Sequence, residues 1–460
     1  MRVHVVGVGG AGMSAIAAVL VGMGHQVSGS DLRDTPALDR LRELGVRVEI
    51  GHDAAHLGDA ELVTISTAVP ATNPEVVAAN EAGRPVLRRA EMLASICATR
   101  STVAVAGTHG KTTTSSLLAL ALRGAGLDPS FIIGGEVPDL DGGAHWGEAD
   151  LFVVEADESD GTFLELSRHS AIVTNLEPDH LEHYGGFDGL VAAFEQFVVD
   201  TPGPVVISAD DPLASQLAAR VGDSVGRAVV TYGTDEGSDH RIEALEVDRH
   251  GSRWTVRGPG GSVEVNLPMP GEHNARNATA AIAMAVELGA DLAAAVDALA
   301  SYRGIARRFE PRGSARGVEF VDDYAHLPTE VRAALATARR GGYRRVVCVF
   351  QPHRYSRTEA LWRSFADAFD DAEVLVVTDV YSSGEPPRPG ITGKLILDAV
   401  LDARPHRRAV YLPRREDLVA HLPGMLRPGD LCLTLGAGDL TTLPSALIAR
   451  LGHDPGTEPT

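Results

Sequence analysis

The stretch that most constrains this chain is Gly107-Thr-His-Gly-Lys-Thr-Thr-Thr114. The apolar run Thr102-Val-Ala-Val-Ala106 before it reads as a buried strand, and Ser115 to Leu122 after it as a helix. Strand, glycine turn, Lys-Thr and helix make a cradle for phosphate. Gly107 and Gly110 let the backbone approach closely, and the freed N–H groups point at an anion. Lys111 supplies a point charge for the β- and γ-phosphates, and the Thr112 hydroxyl is placed to hold Mg²⁺. Thr108 and Thr113 complete the nucleotide-binding stretch. The usual phosphate loop carries glycine where this chain has Val105, so the loop is a shortened variant. Among 41 Lys and Arg residues only Lys111 and Lys394 are lysines. A chain that uses arginine almost everywhere keeps a compact ammonium where a planar guanidinium would not fit. The bland alternative is a Gly-Lys turn opening an ordinary helix.

A second glycine turn opens the chain. Residues 2–8 read as a strand, Gly7-Val-Gly9-Gly10-Ala11-Gly12 follows, and a helix runs from about Met13 to Met23. Asp31 closes the next strand at the spacing where an acid reads a ribose hydroxyl. This context suits a nucleotide diphosphate on a helix N-terminus, with Ser66 and Thr67 at a later strand end and Asn73-Pro-Glu75 opening the following helix. Residues 5–24 carry no charged side chain, but six glycines interrupt them, so a strand–turn–helix accounts for them better than a membrane span. A dinucleotide oxidoreductase would account for this part and leave the second loop idle. A nucleotide-binding regulatory module would leave most of the placed side chains without a task.

The length of 460 residues suggests about three domains. The net charge of −21 argues against nucleic acid and anionic membranes as partners, so anionic ligands must be held by local cation clusters. Cys97, Cys348 and Cys432 are odd in number and far apart, which suits a reducing cytosol.

The expected fold is α/β in three domains. Residues 1–99 form a Rossmann-like domain, and 100–304 a P-loop ATPase-like domain with an added antiparallel meander at 241–267. Residues 305–460 form a second Rossmann-like domain, with strands at 318–323, 345–350, 373–379 and 430–435 and a tail loose from His453. Two strand ends of the central domain point acids and an imidazole at the phosphate loop: Glu155-Ala-Asp-Glu-Ser-Asp160 and Asn175-Leu-Glu-Pro-Asp-His180. Glu155 and His180 are candidate metal ligands with Thr112. Asn274 and Asn277, one turn apart, are placed to bond an adenine or ribose, although such a pair also serves as helix capping. The arginine-rich stretch 301–316 reads as a hinge, or as a solvated linker. Beyond it, Arg354 and Arg357 offer two guanidinium groups to a carboxylate.

From Val5 to about Leu440 these residues resemble the Mur ligase family of cell-wall synthesis. No single motif carries the likeness. Gly7-Val-Gly-Gly-Ala-Gly-Met-Ser14, Gly107-Thr-His-Gly-Lys-Thr-Thr113, Glu155-Ala-Asp-Glu-Ser-Asp160, Glu177-Pro-Asp-His180, His273-Asn274 with Asn277, Arg307-Arg-Phe309, Asp322-Asp-Tyr324 and Phe350-Gln-Pro-His-Arg-Tyr355 occur in family order. The resemblance implies a UDP-sugar on the first domain at Gly9, Gly10, Ala11, Gly12, Asp31, Ser66 and Thr67. ATP and Mg²⁺ would lie on the second, with Arg308 and Asp323 reaching ATP from the third. Tyr324, His326, Arg354 and Arg357 would hold the amino acid. It further implies amide-bond formation between L-alanine and the lactyl carboxylate of UDP-N-acetylmuramate, or, alternatively, a murein tripeptide as amino donor. The carboxylate would attack the γ-phosphorus in line to give an acyl phosphate and ADP, with Lys111, Mg²⁺ and Arg308 neutralising charge. The amine would then displace phosphate, deprotonated by His180 or His326; the residues leave that choice open. A cytoplasmic monomer or homodimer is expected.

Two positions depart from the family pattern. Ala325-His326-Leu327-Pro328 stands where relatives often show Gly-His-His-Pro, so only His326 can act there. Several relatives bridge metals with a carbamylated lysine, and this chain has no lysine between Thr112 and Gly393.

Overall fold

A computed structural model describes residues 1–222 and 229–452; the tail from His453 lies outside the described residues. Three sheets organise the chain. The first has five parallel strands in the order Arg47–Ile50, Gln26–Asp31, Arg2–Val6, Leu62–Ile65 and Val86–Arg88. Chain order reverses beside Arg2–Val6, which opens a crevice at the carboxyl ends there. Val3 and Val5 face the main core, whereas Val6 joins Leu57, Val63 and Ala79 on the other face, as strand alternation requires.

The second sheet has ten strands, and Ser101–Ala106 lies between Ser170–Val173 and Leu151–Glu155. Both acid-bearing strand ends therefore flank the phosphate loop. The expected meander exists as His240–Val247, Ser252–Gly258 and Gly261–Leu267, side by side in chain order. It continues the central sheet as an edge and forms no separate layer. The helix after the loop is Lys111–Gly124 and starts four residues before the expected Ser115. Thr112, Thr113, Thr114, Ser115 and Ser116 are weak helix formers, but all except Thr112 are buried, and packing overrides their propensity. Lys111 and Thr112 thus sit in the first turn. Gly110 turns left-handed at φ +81°, and its carbonyl accepts from Thr114 N at 2.8 Å.

The third sheet runs Glu310–Ala315, Val318–Asp323, Asp430–Leu435, Arg345–Phe350, Val374–Val377 and Ala409–Tyr411. All neighbours are parallel except the first pair. This narrows the hinge expected over 301–316: residues 310–315 are a strand paired with 318–323, irregular between Pro311 and Gly313, while the second unit resumes at Gly304. Arg316 and Gly317, at φ +50° and +73°, close the hairpin with the doubly positive turn that two-residue hairpins favour. A central arginine hid this turn from the sequence.

The chain divides into two compact units. The first holds Met1–Leu245, Trp254–Leu267 and Asn274–Arg303; the second holds Glu246–Arg253, Pro268–His273 and the chain from Gly304 onward. Within the first unit, Trp146 of the central part packs on Gly22 of the Ala11–Gly22 helix, where a Cβ would meet the Trp146 Cβ at 2.5 Å. The three cysteines are free and buried, and burial pushes the Cys97 and Cys432 thiols up to about 12.

Candidate active site

The phosphate loop is clamped from the strand end beside it. Thr174 Oγ1 donates to the His109 carbonyl at 2.6 Å, Asn175 Oδ1 accepts from His109 N at 2.8 Å, and the Asn175 carbonyl accepts from Thr108 N at 3.3 Å. Gly107, at φ +128°, runs so close that a Cβ there would collide with Thr174 Oγ1 and stand 3.0 Å from the Asn175 backbone. Asn175 gave no sign of this role beyond lying in an acid-rich strand end.

The Lys111 ammonium donates to the Gly107 carbonyl at 2.7 Å and to Glu158 Oε2 at 2.8 Å. Burial alone would lower its pKa, but the carboxylates of Glu158, Asp157 and Glu155 outweigh burial and raise it. Thr112 Oγ1 donates to Glu155 Oε2 at 3.1 Å, and Glu155 Oε1 accepts from Gly134 N at 2.5 Å. These two groups supply the hydroxyl and single carboxylate with which a phosphate-bound Mg²⁺ is typically held. His180 is left-handed at φ +52°, with Nε2 3.4 Å from Asp179 Oδ2, and its charge also bears on Asp157. Among the described residues no three His, Cys, Asp or Glu side chains form a metal cage by themselves. Asn274 and Asn277 are buried in the Glu272–Glu287 helix. Asn277 reaches the loop: a Cβ on Gly110 would stand 2.6 Å from its Oδ1.

A cavity of about 780 Å³ in the first unit runs from the first glycine turn to Glu155, which bonds Thr112; no residue of 107–114 lines it. Gly9, Ala11 and Gly12 line one side, and Glu155 and Asp157 another; Gly10, Asp31, Ser66 and Thr67 are not among its lining residues. Asp31 Oδ2 accepts from Gly9 N at 2.9 Å, so this acid braces the turn. Ser66 abuts Gly7 from the neighbouring strand end. Arg89, which no motif marked, lines the cavity and holds its guanidinium over Gly12 at the helix N-terminus. A cation there complements the N–H groups that meet a diphosphate.

A buried polar hub supports the first turn. The Ser30 carbonyl accepts from Gly7 N and Val8 N at 2.8 and 3.0 Å, and its hydroxyl donates to Glu75 Oε2 at 2.7 Å. The fully buried Glu75 also faces His52 Nδ1 and His56 Nδ1, each at 3.0 Å, and His4 Nε2 at 3.7 Å. Burial pushes the Glu75 carboxyl up, but the His4, Ser30 and His56 contacts prevail and hold it at about 2.

In the second unit, the strand ends after Asp323 and Phe350 meet through His353, a residue that the sequence did not single out. The His353 ring lies 5.5 Å from His326, which lies 5.4 Å from Tyr324, and Arg357 Nη1 is 3.0 Å from His353 Nδ1. Burial, then the charges of His326, Arg357 and Arg354, lower His353 to about 4. Arg354, at φ +67°, donates to Glu385 Oε1 at 2.8 Å. His326 Nδ1 is 3.0 Å from the Tyr324 carbonyl, which makes it the N–H donor and Nε2 the basic nitrogen. Asp323 spends its two oxygens on Phe309 N and Ala325 N, both at 2.7 Å. Burial pushes it up to about 6 against the pull of Arg308, whose guanidinium lies 5.1 Å from the Tyr324 ring.

Family models match the three sheet-containing parts in order. The Mur ligase family catalytic domain covers residues 2–101, the Mur ligase middle domain 105–285, and the Mur ligase glutamate ligase domain 307–438. A UDP-N-acetylmuramate–L-alanine ligase of Kineococcus radiotolerans is 50% identical, across 98% of this chain and 96% of that protein. One of Myxococcus xanthus is 47% identical across 99% and 96%. The crystal structure of UDP-N-acetylmuramate-alanine ligase from Thermotoga maritima superposes with a TM-score of 0.79 at 32% identity, covering 98% of this chain and 99% of that one. A murein peptide ligase from Psychrobacter arcticus gives 0.71 at 26%, covering 99% and 100%. The order of the motifs, the strand ends that carry them and these matches agree: the chain belongs to the Mur ligase family.

Proposed function

We propose that this chain is an ATP-dependent ligase that joins L-alanine to the lactyl carboxylate of UDP-N-acetylmuramate through an acyl phosphate, releasing ADP and phosphate. The observation that carries this reading is the single cavity running from the first-helix glycine turn to Glu155 and Asp157 beside the phosphate loop. A UDP-sugar anchored at Gly9, Gly12 and Arg89 has its acyl end directed toward the nucleotide's phosphates.

The division of labour follows. Residues 1–99 carry the UDP-sugar, 100–304 carry ATP, and 305–460 bring the amino acid. Lys111 and the loop N–H groups hold the phosphates, and Asn274 and Asn277 the adenosine. Arg308 and Asp323 come from the third part. Thr112 and Glu155 would hold Mg²⁺, with His180 alongside, and a bound ion would supply charge neutralisation at the phosphates. Catalysis at phosphorus is otherwise positioning. Arg354 and Arg357 take the alanine carboxylate, with Tyr324 beside it. His180 and His326 are the two candidate amine bases, and the His326 ring is oriented by its Nδ1–H, directed at the Tyr324 carbonyl. ATP as substrate and three free thiols accord with a cytoplasmic location, and no helix of the described residues is long and apolar enough to cross a membrane.

Phosphate release with UDP-N-acetylmuramate tests the reading. L-alanine should be the best donor, and glycine, which loses one methyl contact worth about 1–3 kcal/mol, a slower one. A higher kcat/KM for L-Ala-D-Glu-meso-diaminopimelate than for L-alanine would make this a tripeptide ligase instead.

A further inference from the structure

The Lys111 ammonium has three N–H groups and meets three protein groups, the Thr108 carbonyl at 3.4 Å and two closer ones. The Gly107 carbonyl accepts at 2.7 Å, and the Glu158 carboxylate approaches at 2.8 and 3.1 Å. Both side chains are largely buried, 16% and 4% exposed. Asp157 and Glu155 face the same ammonium. The Tyr184 hydroxyl donates to the Glu158 backbone carbonyl, which ties the pair to the Leu181–Tyr184 turn that follows His180. A triphosphate on this loop needs the same ammonium. A carboxylate and a γ-phosphate cannot share one N–H, and at contact distance they repel.

We infer that the Lys111–Glu158 pair is a latch worked by the nucleotide: binding of a nucleoside triphosphate transfers the ammonium from the Glu158 carboxylate to the phosphates. The inference rests on Lys111 being the phosphate-binding lysine. Opening the latch costs binding free energy, so Glu158 weakens nucleotide affinity. The freed carboxylate, beside Asp157 and Glu155, concentrates negative charge that a divalent cation entering with the nucleotide relieves. Tyr184 passes the change to the segment that carries His180.

The chain's own composition supplies the probe, because Lys111 and Lys394 are its only lysines. Protein labelled with ¹⁵N at the lysine Nζ atoms gives two ammonium signals. Lys394, exposed and paired with Asp398 at 2.6 Å, is the internal reference. MgATP should shift the Lys111 signal and leave Lys394 in place. Glu158→Gln should lower the Kd for ATP and ADP about tenfold, the scale of one modest ion pair, and leave adenosine binding unchanged. Glu158→Asp, which keeps the charge but shortens its reach, should shift affinity the same way by a smaller factor, and it serves if the glutamine variant does not fold. Unchanged or weaker ATP binding in the folded variant, with the wild-type Lys111 signal responding to ATP, overturns the latch. A Lys111 signal indifferent to ATP, or ordinary ATP affinity in Lys111→Ala, overturns the assignment of the lysine itself.

Discussion

Replacing Glu75 with glutamine should destabilise the first sheet by an amount the hub geometry sets. The carboxyl is held at about 2 in the folded chain against an ordinary 4.5. At neutral pH the difference is worth about 3 kcal/mol of stability. Because the folded value is the lower one, this contribution is complete above about 4.5 and is lost as pH falls toward about 2. Glutamine keeps the shape but offers one acceptor where a carboxylate faced Ser30, His52 and His56, and a buried donor left unmatched costs about 1–3 kcal/mol. Both routes give the same scale. Amide hydrogen exchange on peptides covering Arg2–Val6 and Gln26–Asp31 should show protection falling about a hundredfold in Glu75→Gln at pH 7. The stability gap between the two proteins, read from urea unfolding, should narrow between pH 5 and the onset of acid unfolding. A protection loss below about threefold, or a gap that widens on acidification, would refute the account of Glu75 as a charged, hydrogen-bonded hub.

Two further changes test the two ends of the chemistry. Gly107→Ala places a side chain at φ +128°, a conformation costing about 1–3 kcal/mol, against the Asn175 backbone, which has no room to give. Calorimetry should find ATP binding weakened at least about tenfold together with a lower Tm; a lower Tm with unaltered ATP affinity would detach this loop from the phosphates. Arg354→Ala should raise the KM for L-alanine at least about tenfold while the Kd values for ATP and UDP-N-acetylmuramate stay within about twofold, as loss of one charge-assisted contact implies. A general loss of affinity would instead mean that the Arg354–Glu385 pair is needed to hold the domain together.

What the sequence disclosed was mostly strand ends. An apolar β-branched run that stops at a cluster of acids fits a buried strand emerging at a polar rim and little else. The places of Glu155, Asn175, Asp323 and Gln351 therefore followed from pattern alone. Contacts that depend on how a loop turns did not. Four acids follow Val154, and only the fold of the chain through Gly161, left-handed at φ +74°, decides that Glu158 reaches Lys111. Glu385 comes from a Gly-Pro loop thirty-one positions beyond Arg354, with no periodicity to announce it. The hub is further still from any motif, since positions 4, 30, 52, 56 and 75 are united by strand order alone. Propensity misled in one place, the threonine-rich start of the Lys111–Gly124 helix, and turn chemistry in another, the Arg316-Gly317 hairpin.

The buried thiols give the chain a built-in clock. Alkylating reagents attack thiolate, and a thiol held near 12 inside a packed core presents almost none. Cys97 ends the Arg89–Cys97 helix in the first unit, whereas Cys348 and Cys432 lie on neighbouring strands of the second. Each becomes reactive only when its own surroundings open. Mass spectrometry of native protein left with iodoacetamide therefore times the opening of each unit separately, with no label introduced, and repeating it with ATP or UDP-sugar present reads which unit each substrate holds shut.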